Sequence, residues 1–411
     1  MSGRRLYLRT AWFLLAIVVL AACGPEAIKV ETWTDDELGK IRSRVWRPAT
    51  ALDPTNRVSN NAEAQAFGEL LFFSSELSLD RTISCATCHD PELGFSDGEP
   101  VSQGLGETRR HSPQLWNVGF QRWFYWDGRR DSLWSQALSP IEDPSEMGLD
   151  RLNVLRRVKS DSTLSEYYRT LFGEFPAVLN SELVSASPLG QDDQMGWLEN
   201  WVTLTEEEQF EVNYAFANIG KAIAAYEMTL VSGESRFDTY ARAVLAGDAE
   251  AQQSYSAQER LGLRLFIGKA RCFFCHTGPR FTDDEFHNLG FSSIEDLGRI
   301  SAVEEVKSHP FNALGAFSDD NAGESAQFTT YLTLSQEQAG QFKTGGLRNI
   351  ESSPPYMHDG RFETLREVVE FYSLLPGRVE VGHREDFMVP LLLSDQELDA
   401  LVAFLKSLAP L

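Results

Sequence analysis

The chain has 411 residues, 42% of them hydrophobic, and a formal net charge of −23. That length suits two domains with packed cores. So acidic a surface excludes nucleic acid, whose phosphates it would repel, and suits either steering of a basic protein partner or solubility alone.

Arg4, Arg5 and Arg9 precede an uncharged run from Ala11 to Ala22. The run is too short to span a bilayer and has the layout of a secretory signal. It ends Leu20-Ala21-Ala22-Cys23, which resembles the lipobox of bacterial lipoproteins, where Cys23 would be lipidated; a plain signal with a chance Cys is the alternative. Gly24 points to the outer membrane, so the expectation is a periplasmic protein of a Gram-negative bacterium that touches membrane only through a lipid anchor. Loss of residues 1–22 removes three arginines and no acid, taking the charge from −23 to −26.

Residues 23–58 are polar, with Trp33 and Trp46 as isolated apolar points, and read as a tether and arm lying on the first domain. That domain is expected over 59–232. Its first helix is capped at Asn60/Asn61, with Glu63 and then Phe67, Leu70, Leu71 and Phe72 at helical spacing. Residues 177–200 and 295–325 read as surface loops. Thr205 with Glu208 forms a capping box opening a long amphipathic helix through Val212, Phe216, Ile219, Ile223, Tyr226 and Leu230. A turn at Ser232–Ser235 marks the boundary to a second domain, 233–411. Ser256 with Glu259 starts its first helix, and 364–373 and 394–408 close the chain as helices. Strand signals are few, so the fold is mainly α.

Ala66–Phe72 matches Arg260–Phe266 in pattern. Each stretch precedes a Cys-x-x-Cys-His unit, Cys85/Cys88/His89 and Cys272/Cys275/His276, and each unit is followed by Phe95-Ser96-Asp97 or Phe281-Thr282-Asp283. The helix, motif and turn occur twice, implying two related domains. Two thiols one helical turn apart can add to both haem vinyl groups, and the next His then reaches the iron. The expectation is two cytochrome c-like domains, each around one covalently bound haem c. A joint four-thiolate zinc site is the alternative. The remaining cysteine, Cys23, leaves no pair for a disulfide.

Further motifs are Pro113-Gln114-Leu115-Trp116-Asn117, Trp126-Asp127-Gly128-Arg129, Gln136-Ala137 with Pro140, and Glu146-Met147. Later come Phe286-His287-Asn288-Leu289-Gly290, Leu347-Arg348-Asn349 and Pro355-Tyr356-Met357-His358-Asp359-Gly360. From about Asp53 to the C-terminus, in this order, they resemble the bacterial dihaem cytochrome c peroxidase and MauG family. The resemblance implies that hydrogen peroxide binds at the N-terminal haem. It makes Glu146 the distal acid/base, Gln136 the distal amide, Pro140 their neighbour and Trp126 the relay between haems. One carboxyl group can take a proton from one peroxide oxygen and return it to the other.

Three departures refine this. The loop His that caps the peroxidatic iron in better-known members is Leu105 here, which predicts an open N-terminal haem; His111 is a possible substitute by type. The usual Met ligand of the C-terminal haem is Tyr372, as in MauG, with Met357 the rival. A family calcium site would use the carbonyls of Ser353 and Pro355, but its Asn position is His111, a poor ligand for a hard cation.

The leading expectation is a peroxidase reducing hydrogen peroxide to water with electrons from a small cytochrome c or cupredoxin. The second is a MauG-like oxidase that withdraws electrons from an aromatic residue of a partner protein, although MauG's surface Trp is Ala270 here. The third is a bare electron carrier.

Overall fold

The computed structural model describes residues 32–47, 49–189 and 196–411; the expected signal segment and Cys23 lie outside them. Among the described residues the fold is mainly helical. In chain order the helices are α1 (Asp35–Arg42), α2 (Ala62–Phe72), α3 (Cys85–Cys88), α4 (Leu133–Glu142), α5 (Arg151–Ser160), α6 (Ser162–Phe172) and α7 (Trp197–Trp201). There follow α8 (Glu206–Glu227), α9 (Arg236–Ala246), α10 (Ala257–Phe266), α11 (Arg299–Ser308), α12 (Glu324–Tyr331), α13 (Leu365–Leu374) and α14 (Asp395–Lys406). The short strands β1 (Phe286–His287) and β2 (Phe342–Lys343) pair antiparallel.

Helix starts follow local chemistry. Thr205, Ser256, Thr364 and Ser394 each accept from the backbone N–H three residues on, while the Glu at that position caps in return. Each such box satisfies two orphan donors, and losing its hydroxyl costs about 1 kcal/mol. The helix α8 departs from the amphipathic expectation. From Ala215 to Ala225 every residue is buried, because alanines and Gly220 let neighbouring helices close on all sides.

Two large apolar clusters form among the described residues. One gathers α2, α4, α5 and α8 around Phe67, Phe72, Trp134 and Phe216; the other gathers α9, α10, α13 and α14 around Phe237, Phe266, Phe281 and Phe404. Their central helix pairs meet alike. A Cβ on Gly68 would lie 1.9 Å from the Ala222 carbonyl oxygen of α8, and one on Gly262 would lie 1.9 Å from that of Ala400 in α14. Only glycine permits either approach.

Two segments depart from expectation. The arm does not lie on the first cluster alone. Trp33 donates to the Tyr240 hydroxyl at 3.3 Å, and the Trp46 amide donates to Asp238 at 2.7 Å. The Arg44 guanidinium reaches the His276 carbonyl at 3.2 Å, so α1 packs on the second cluster. Only beyond it does the chain cross over, where Ala51 joins the first cluster and Asn56 donates to the Lys221 carbonyl. Residues 295–325 are not simply surface loop either: they include α11, and Phe311 and Phe317 pack into the first cluster. Their many Ser, Gly and Asp residues hid these few apolar anchors.

Candidate active site

The first Cys-x-x-Cys is the single turn α3, capped by Ser84 with Thr87. His89 leaves that turn and sets its Nδ1 3.0 Å from the Phe95 carbonyl oxygen. In the second motif His276 Nδ1 lies 2.9 Å from the Phe281 carbonyl oxygen. A carbonyl only accepts, so Nδ1 carries the proton in both rings and Nε2 is left with its lone pair. Phe95 and Phe281 both have left-handed backbone, φ 61° and 56°, which turns their carbonyls toward the rings. Burial lowers the pKa of both histidines. All four thiols are free rather than paired. These features fit a haem at each motif. The zinc alternative fails, because the only group of three such ligands among the described residues is Cys275, Asp283 and His287, so the four cysteines do not converge.

A cavity of about 1540 Å³ is lined by Cys88, His89, Trp126, Gln136, Pro140 and Glu146, among others. It exceeds the roughly 300–1,000 Å³ of most small-molecule sites. Gln136 and Pro140 lie on α4, and Glu146 lies on the turn after it. That turn folds back on the helix end: Met147 N–H donates to the Pro140 carbonyl at 3.1 Å and Leu149 N–H to that of Ile141 at 2.8 Å. From outside, the amides of Leu105 and Gly106 donate to the carbonyls of Glu146 and Ser145, each at 2.9 Å. The Leu105 loop thus braces Glu146 and offers no ligand. Burial pushes the Glu146 carboxyl up to about 7, with Asp143 adding to the rise and Arg129 opposing it.

Trp126 donates its indole N–H to the His111 carbonyl at 2.9 Å, and its own carbonyl accepts from the Lys343 amide at 2.7 Å. The His111 ring is held by the Glu99 carbonyl at 2.8 Å and Ser96 Oγ at 3.4 Å, so both its nitrogens are engaged. Ser353 and Pro355 line the same cavity, but an imidazole fixed in this way fits a hard cation poorly. Burial pushes the phenol of Tyr372, on α13, well above the usual range, and Cys272 and Cys275 lie close enough to add to the rise if ionised. Met357, the rival ligand, lines the large cavity instead.

Sequence reasoning quoted Trp126-Asp127-Gly128-Arg129 but gave Asp127 and Arg129 no role. Asp127 is a buried hub, 2.6 Å from Arg110, which in turn holds Asp296 at 2.7 Å. Burial opposes its ionisation, yet Arg129 and Arg110 hold its carboxyl at about 2. The signal was present in the motif's alternating charges; their partners were not.

The sequence profile described as di-haem cytochrome c peroxidase matches residues 62–245. Over 391 residues the chain is 31% identical to the methylamine utilization protein MauG of Methylorubrum extorquens, covering 95% of this chain and 90% of that one. It is 30% identical to the cytochrome-c peroxidase IdrP1 of Denitromonas iodatirespirans, covering 96% and 92%. The solved diheme peroxidase BthA of Burkholderia thailandensis shares the fold, with a TM-score of 0.61, 24% identity and coverage of 87% and 89%. Likeness over nearly the whole chain to both branches decides the matter: the chain belongs to the dihaem cytochrome c peroxidase and MauG family, and it is an oxidoreductase of the peroxidase type with two haem groups.

Proposed function

We propose that the protein reduces hydrogen peroxide to water in the periplasm, with electrons from a small cytochrome c or cupredoxin. Peroxide binds at the N-terminal haem and electrons arrive through the C-terminal one. Each haem is a haem c, joined through Cys85 and Cys88 or Cys272 and Cys275, with His89 and His276 as proximal ligands and Tyr372 as second ligand of the latter. Two cytochrome c-like domains related by an internal repeat, 59–232 and 233–411, carry them; the matching Gly68 and Gly262 contacts support this. Cys23 holds the protein by lipid to the outer membrane.

The observation that carries the reading is a carboxyl raised to about 7 in the cavity that holds His89. When bound, the N-terminal haem supplies the electrons that break the O–O bond. Glu146 takes the proton from one peroxide oxygen and returns it to the other, which requires a pKa close to ambient pH. Gln136 orients the peroxide, Pro140 shapes the wall beside it, and Trp126 lies on the route between haems. A calcium ion at Ser353 and Pro355 would meet His111 in place of the family's Asn, and the reading needs none.

A MauG-like oxidase acting on an aromatic residue of a partner protein is the second reading, favoured by Tyr372 beside the second motif. Steady-state assays with peroxide and reduced cytochrome c separate the two. Fast turnover, with a high-spin N-terminal haem in the resting ferric state, is expected. Slow turnover would favour the second reading, and a resting enzyme with only six-coordinate low-spin haem would sink the open site.

A further inference from the structure

The cavity that holds Glu146 and Gln136 is also lined by Arg129. Its NH1 lies 3.2 and 3.3 Å from the two Asp127 oxygens, and its guanidinium carbon is 3.3 Å from the centroid of the Tyr125 ring. Carboxylate and ring together fix the plane of the guanidinium. Its Nε and NH2 donors have no acceptor among the described residues. Three nearby cations are already engaged: Arg130 with Glu305 at 2.6 Å, Arg151 with Glu142 at 2.7 Å and Arg110 with Asp127 and Asp296. A cation with free donors facing a cavity, and locked by its other edge, is preorganised for an anion.

We propose that Arg129 is a catalytic residue of the peroxide cavity, holding the hydroperoxide anion left when Glu146 takes the proton. This rests on the reading that the N-terminal haem has an open position. The step balances: hydrogen peroxide loses one proton to the Glu146 carboxylate, the negative charge stays on the oxygen that lost it, and Arg129 keeps its own charge throughout. Proximity to Glu146 serves both ends of the transfer. The guanidinium lowers the carboxyl's proton affinity while the carboxylate is charged, and it faces the anion once the carboxylate has been neutralised. A haem carboxylate is the other anion that could fill this cavity, and the test separates the two.

The test titrates the ferric holoenzyme optically with azide, an anion, and with imidazole, a neutral ligand. Charge-assisted hydrogen bonds are worth enough that Arg129→Gln should weaken azide by about tenfold or more. Arg129→Lys should weaken it less, and imidazole affinity should stay within about twofold, because a neutral ligand gains little from the cation. Equal loss for both ligands, or unchanged azide affinity with a shifted haem midpoint potential, would assign Arg129 to a haem carboxylate and overturn the proposal. A wild-type protein that binds neither ligand would overturn the open site itself, a different failure from binding that ignores Arg129.

Discussion

The two Cys-x-x-Cys-His regions are built alike and surrounded differently. In both, a glycine pins one helix against another, and a phenylalanine in left-handed backbone turns its carbonyl to the histidine ring. Beyond that frame they diverge. The large cavity is lined by Cys88 and His89, with Glu146 and Arg129, and by none of Cys272, Cys275 and His276. The second region is packed with aromatic side chains, Phe266, Phe281 and Phe404 lying within 6.1 Å of one another by ring centroid, with Tyr372 near its thiols. The two regions share these backbone devices, and the large cavity lies against the first of them.

The largest test of that difference is Glu146→Gln. It removes the only proposed proton carrier of the open region and should lower peroxide turnover by about 100- to 10,000-fold, with both haems still attached. Near-normal turnover would erase the contrast between the regions. The pH profile sharpens it. Glu146 acts as a carboxylate, and its pKa is raised to about 7. The peroxide reaction should therefore be fastest above that pH and fall as pH drops through it. Cys85, Cys88 and Tyr125 also feel this carboxyl, but the charged groups acting on it are Asp143 and Arg129. Asp143→Asn should move the acid limb to lower pH and Arg129→Gln to higher pH; an immobile limb would mean that another group titrates.

In the second region the decisive change is Tyr372→Phe. The low-spin EPR signal of the C-terminal haem should change and its midpoint potential should rise, since a phenolate stabilises oxidised iron. The bimolecular step with peroxide should change far less. An unaltered EPR signal would return Tyr372 to core packing.

How far these features could be read in advance depended on the range of the interactions that make them. The capping boxes at Thr205 and Ser256, the two motifs and the Glu146 segment are local, and their residues lie within a few positions of one another. The arm's course was not legible, because its anchors Asp238 and Tyr240 lie about two hundred positions along the chain and Trp33 and Trp46 carry no mark of where they pack. Arg129 lay in a recognised motif, yet its free donors become visible only once Arg110, Arg130 and Arg151 are matched with their acids.

The smallest expected effect comes from superposing the two glycine contacts. Gly68 meets Ala222 and Tyr226 as Gly262 meets Ala400 and Phe404, so Glu227 in α8 stands where α14 has Leu405. Glu227 is buried, its Oε2 lacks a hydrogen-bond partner among the described residues, and burial pushes its pKa up to about 8. A carboxyl whose pKa is raised on folding favours the folded state only while protonated. That contribution is present below its ordinary value near 4.5 and is lost as pH rises through about 8. Glu227→Leu copies the second region into the first and should raise Tm more at pH 9 than at pH 6. The N-terminal haem spectrum should also lose any pH dependence this charge imposes, since Glu227 lies near Cys85. A variant less stable than wild type at pH 9 would mean that the carboxyl is hydrogen-bonded in the holoprotein, making the acid at this position a working difference between the regions.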